Sequence, residues 1–203
     1  MDSAVIVALF TFMLCSFNGS VLMSRSCETR PVNGVVKISK GGGAINVEEA
    51  PEGAELMTGG GKIHVRSAKH FVEATTGGGD IVIDAVDGSV QATTGAGNVS
   101  VTMIGNPNEG QRDVAISSSS GDVTLVVPAG LAMDFDLKLA YTNTRKPYRI
   151  VSDFALDQRS TAEWSSAEGT PRKYIYGTGK TGVGSHLIKI HTVNGSIYLK
   201  RGQ

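Results

Sequence analysis

Apolar residues recur along this chain in pairs two positions apart. Ile45/Val47, Ile63/Val65, Ile81/Ile83 and Val99/Val101 form one set, and Ala54/Leu56, Val72/Ala74 and Val90/Ala92 form a second. A spacing of two puts both side chains of a pair on the same face of a strand. Successive pairs in each set lie 18 residues apart, and the same period returns a glycine triplet at Gly41, Gly59 and Gly77, then GAG at Gly95. The pattern predicts a unit of two short strands separated by two turns. Such a unit cannot bury its apolar face alone. Stacked on copies of itself at about 4.8 Å, it pairs each strand with the coil above and below. The expected fold is therefore all-β: a single-domain parallel β-solenoid (β-helix) with 18-residue, two-strand coils. A helical reading fails on period and on the abundance of Gly, Thr and β-branched residues.

The rhythm outlasts the triplets. Val114/Ile116 and Val123/Leu125 continue it with six extra residues around GNPNEG, 105–110, which predict a loop extruded from one corner. Asn33-Gly34 before Val36/Ile38 begins it, and Ile188/Ile190 with Ile197/Leu199 close it. Core repeats are thus expected over 32–127 and closing strands over 186–200, within a domain of 17–203. Residues 140–182 break the pattern and hold the single tryptophan and four of the five tyrosines, with basic residues among them. This irregular insertion offers a candidate binding patch of Trp164, Tyr148, Tyr174, Tyr176 and Arg149, since exposed aromatic and basic side chains suit sugar rings or a partner protein. The competing reading is a cap that covers the open strand edges of the solenoid.

Charge adds little that is specific. Nineteen basic and nineteen acidic residues balance, so nothing points to nucleic acid or an anionic membrane surface. Outward columns place Glu48, Arg66 and Asp84 in alternating sign, while Glu55 lies above Glu73. Two cysteines, Cys15 and Cys27, make neither a disulfide scaffold nor a metal site. A calcium-binding nonapeptide solenoid needs stacked carboxylates, and the relevant column runs Ala44, Lys62, Asp80, Asn98. Thr58, Thr76 and Thr94 form a hydroxyl column that packing accounts for better than an ice-binding face.

Gly177-x-Gly179-x-x-Gly182 formally matches a dinucleotide fingerprint, but the following HLIKIHTV is strand-like where a helix is needed, so no nucleotide is expected. The four histidines share no ligand spacing and no catalytic triad can be assembled. No catalytic, metal or cofactor-binding residues are expected.

Residues 4–15, AVIVALFTFMLC, are the only long apolar run. They are too short to span a bilayer and suit the core of a signal peptide, which would make 1–16 a leader and export the rest. Asp2 in place of a basic n-region leaves two alternatives open: a truncated leader, or a first buried strand in a cytoplasmic protein.

TGGGDIVIDAVDGSVQATTGAGNVSV, SSSSGDVTLVVPAGL, RKYIYGTGKTG and HTVNGSIYLKRG together resemble a bacterial family of adhesin-like β-strand-repeat proteins, a domain of unknown function, over about 32–203. The resemblance implies a β-solenoid that is secreted or associated with the cell envelope, and it supplies no catalytic residues. The expected function is a non-enzymatic, extracytoplasmic, adhesin-like binding or structural module of the bacterial envelope, with an envelope glycan or surface protein as partner. Two alternatives stand beside it: a polysaccharide-active enzyme on a β-helix, and a self-assembling scaffold.

Overall fold

The computed structural model describes residues 27–29, 34–107, 109–144, 146–166 and 169–202. The apolar run 4–15 and Cys15 lie outside these residues. Among the described residues, fifteen strands form one continuous sheet and there is no helix.

The sheet curls into two stacks. The first holds β1 (Cys27–Thr29), β3 (Ile45–Ala50), the first half of β5 (Ile63–Thr76), the first half of β6 (Ile81–Thr94), β7 (Val99–Met103) and β9 (Val123–Val127). The second holds β2 (Val36–Lys40), β4 (Ala54–Thr58), the second halves of β5 and β6, and β8 (Val114–Ser118). Every pairing among these strands is parallel. Ile45 lies on Ile63, Ile63 on Ile81, Ile81 on Val99 and Val99 on Val123, so the recurrent apolar pairs stack into continuous buried columns. Each buried aliphatic contributes about 1.5–3 kcal/mol relative to exposure, before conformational entropy is subtracted. The chain thus forms a β-rich, solenoid-like body around a thin apolar core.

The core is wider than two pairs per coil. Ala50, Ala68, Val86 and Met103 bury a further side chain at the corner between the stacks, where strict alternation lapses. β5 and β6 each run on through that corner as one strand, and their pairing, interrupted at residues 66 and 67, resumes with Ala68 opposite Val86 and Lys69 opposite Asp87. The opposite corner is the glycine turn. A Cβ on Gly77 would collide with the carbonyl of Gly59, and one on Gly79, at φ +141°, with that of Gly61. The middle residue Gly78 has open space around it, and in the next coil alanine, Ala96, takes the equivalent place.

Two side-chain ladders reinforce the same turn. The buried hydroxyls of Thr58, Thr76, Thr94 and Ser118 donate to the carbonyls of Gly43, Gly61, Gly79 and Gly97 at 2.9–3.0 Å. Thr192 donates to Gly121 at 2.7 Å. Beside them, the backbone N–H of Asn98 donates to Asp80 Oδ1, that of Asp122 to Asn98 Oδ1, and that of Ser196 to Asp122 Oδ1, at 2.7–2.9 Å. From Asp80 onward, the column weighed as a calcium site therefore ties coil to coil as a hydrogen-bond ladder. On the outer surface, Arg66 pairs with Glu48 at 2.9 Å and His64 with Asp84 at 2.7 Å. Glu55 lies opposite Glu73, but Lys37 contacts Glu55 at 2.8 Å and offsets the repulsion.

After β9 the chain skips a coil. β10 (Met133–Tyr141) and β11 (Ile150–Ser152) take up positions two steps beyond β8 and β9, and the closing strands β14 (His186–Val193) and β15 (Ile197–Arg201) fill the gap. β14 pairs in parallel with both β8 and β10, and β15 with both β9 and β11. Beyond β10, β13 (Lys173–Thr181) and then β12 (Asp157–Ser160) add on antiparallel. The irregular insertion thus ends the stack with short reversed strands, one device by which proteins blunt a sheet edge.

Candidate functional site: the aromatic and basic cap

The cap is built from the alternation of β10. Met133, Phe135, Leu137 and Leu139 point into the core, which sends Asp134, Asp136 and Lys138 outward. Antiparallel registry then places Tyr176 opposite Lys138 and Tyr174 opposite Ala140. The two tyrosine rings stack with centroids 5.9 Å apart, and Lys138 Nζ sits 4.8 Å from the centre of the Tyr174 ring. Arg159 of β12 lies opposite Tyr176 and binds Asp157 through Nε and Nη2 at 3.1 and 2.8 Å. Lys180 approaches Asp134 at 3.5 Å.

A second aromatic group forms where β10 ends. Tyr141 packs against Tyr148 at 5.8 Å and edge-on against Trp164 at 5.9 Å, with Lys173 Nζ 5.5 Å from the Trp164 ring centre. The loop carrying Trp164 is fixed by reciprocal backbone bonds between Ser165 and Arg172 at 2.8 Å. Its start is pinned to β13, because Thr161 N–H donates to the Tyr174 carbonyl and Thr161 Oγ1 accepts from the Tyr174 N–H.

The five residues singled out in the sequence therefore divide. Tyr148 joins Trp164 through Tyr141, Tyr174 joins Tyr176, and Arg149 is exposed at the start of β11, its N–H directed at Ser196 Oγ. Tyr174 is 6% exposed and belongs to the packing, whereas Trp164 is 43% and Tyr176 37% exposed. Sequence reasoning passed over Lys138, whose signal is the parity of β10 that projects every second residue outward, and Tyr141, which shares the inward parity of Leu139 and is half-buried against the core at the strand's end.

The glycines of the fingerprint-like segment have a packing role. Gly177 and Gly179 lie on β13, where a Cβ would meet Ile150 and Leu137 in the first case and the Ala155 carbonyl and Leu156 in the second. No group of three or more His, Cys, Asp or Glu side chains among the described residues is placed to hold a metal ion. No helix among the described residues is long and apolar enough to cross a membrane.

A stack of parallel rungs with a reversed aromatic cap defines the chain as a β-solenoid-like repeat protein. It belongs to the Toastrack DUF4097 family, whose model matches residues 45–200. That span takes in the repeats, the cap and the closing strands. No curated protein and no solved structure matches the chain at a significant level.

Proposed function

We propose that this protein is a non-enzymatic, adhesin-like binding or structural module of the bacterial cell envelope. In this reading the 18-residue, two-strand coil is a rigid spacer, residues 4–15 direct export, and the cap carries the contact surface. The observation that carries the reading is the exposure of Trp164 and Tyr176 on a framework held by buried Tyr174 and by Tyr141. Fixed aromatic faces with Lys173, Lys138 and Arg149 nearby suit an envelope glycan or a surface protein, because ordering such side chains in advance lowers the entropy lost on binding.

A glycan-array and whole-cell binding screen on the full chain tests this. Attachment should be lost when Trp164 and Tyr176 are both replaced by Ala, with the strand-rich circular dichroism unchanged. Undiminished attachment of the double variant would remove the cap from the binding role. Release of shortened polysaccharide from the array would place the chain among enzymes instead.

A further inference from the structure

The corner opposite the glycine turn carries a second recessed surface. The connection after β7 carries the six-residue excess over the regular coil, and its described residues Asn106, Glu109, Gly110, Gln111 and Arg112 stand as a wall beside β5 and β6. Between them lies a cavity of about 500 Å³, continued across the outer face of β6, β8 and β14 by one of about 430 Å³. Phe71, Ser89 and Gln111 line both, so the two form one groove that runs across successive strands. Its size falls in the range of small-molecule sites.

Three features indicate that this corner is built rather than incidental. The wall is anchored by a buried guanidinium: Arg112, 2% exposed, donates to the Glu109 and Ile104 carbonyls at 3.1 and 2.6 Å and to Asp87 at 2.6 Å. Burying a charge is costly unless it is fully paired, and here the cost fixes the shape of a surface loop. At the base, His70 adopts φ +63°, a left-handed conformation uncommon outside glycine, and Gly88 packs directly on its carbonyl. The floor is Phe71, whose ring lies on the backbone of Gly53 in the preceding coil, at φ +106°, where any Cβ would enter the ring.

We propose that this groove binds a short stretch of a neutral oligosaccharide. Phe71 supplies an apolar platform for the C–H face of a pyranose ring, and amide and hydroxyl groups such as Gln91, Gln111 and Ser89 can both donate to and accept from sugar hydroxyls. Charge argues against a polyanion or polycation. Lys69 and Lys189 are interspersed along the groove with Glu73, Glu109 and Asp113, and Arg112 is already committed to Asp87, so the groove carries neither a cationic nor a strongly anionic field. The site shares no residue with Trp164 or Tyr176, so it stands whether or not the cap binds anything.

The test uses the full chain titrated with cellotetraose, maltotetraose and the tetramer of N-acetylglucosamine, with tetragalacturonate as the charged comparison. At least one neutral tetramer should bind saturably, insensitive to salt, and shift the backbone amides of Ser89, Gln91 and Gln111. Phe71→Ala should weaken it at least tenfold. Because that change also uncovers Gly53, Gln91→Ala, an exposed change, provides a second reading and should weaken it severalfold. Trp164→Ala should leave it unchanged. Absence of saturable binding by all three neutral tetramers, shifts mapping elsewhere, or salt-sensitive binding of the uronate alone would overturn the proposal.

Discussion

The hydroxyl of Thr94 donates to the carbonyl of Gly79 at 2.9 Å, joining the end of one strand to the glycine turn before it. Thr94 is 1% exposed and Gly79 half-buried, so Thr94→Val, which keeps the shape and removes the donor, takes a side-chain partner from a partly shielded carbonyl. The expected cost is about 1 kcal/mol. Thr94→Ser should recover part of it. Thermal or urea unfolding followed by circular dichroism reads both, and equal stability of Val and wild type would remove the hydroxyl column from the list of stabilising contacts.

Neighbouring positions in one strand should respond in opposite ways. Ile81 is fully buried between Ile63 and Val99, so Ile81→Asp introduces an unpaired charge into the core and should cost about 4 kcal/mol or more. Val82 faces outward, and Val82→Asp should cost less than about 1 kcal/mol. Similar losses for both would mean the strand is set with the wrong face inward.

The glycine triplet separates by position. Gly78→Ala should be tolerated within about 0.5 kcal/mol, as Ala96 is in the next coil. Gly79→Ala combines an unfavourable φ of +141° with a collision against the Gly61 carbonyl and should cost about 3 kcal/mol or more. Denaturant midpoints of the two variants decide the matter, and comparable values would contradict the close approach of the turns.

Within the cap, burial separates structural tyrosines from exposed aromatics. Tyr174→Ala removes a side chain that is 6% exposed and stacked on Tyr176, and should cost about 2–4 kcal/mol. Trp164→Ala, at 43% exposure, should cost about 1 kcal/mol. A larger loss of Tm for the Trp164 variant would make that ring part of the core.

A chelator should leave the Tm unchanged, since the Asp80, Asn98 and Asp122 column is occupied in bonding the next coil. Calcium that raised the Tm by several degrees would show that those oxygens have another use.

Much of this architecture is legible in the chain because the apolar pairs and the glycines share one period. The stacking of Ile45, Ile63, Ile81 and Val99, and of Val90 with Val114, follows directly from their spacing. The corner column of Ala50, Ala68, Val86 and Met103 is hidden because its residues fall between two runs of alternation and differ in size. Arg112 reads as a surface charge until loop carbonyls surround it. The cap is harder still: its aromatics stand out by composition, but which are buried depends on antiparallel registry between β10 and β13, two strands separated by more than thirty residues. Likewise no local signal says that Ile188 will lie between Val114 and Phe135.

That last placement governs the order in which the molecule can be assembled. β14 and β15, which follow all the other described strands in sequence, occupy an interior coil, flanked on one side by β8 and β9 and on the other by β10 and β11. Until residues 186–201 have left the ribosome, the cap has no surface on which to dock, and the growing chain carries an unfilled slot with apolar walls. Completion is therefore a late, whole-chain event, in contrast to repeat arrays that add each unit as it appears. A stack that stays open until β14 and β15 are added is also one whose truncation before residue 186 leaves an exposed seam for proteases to find.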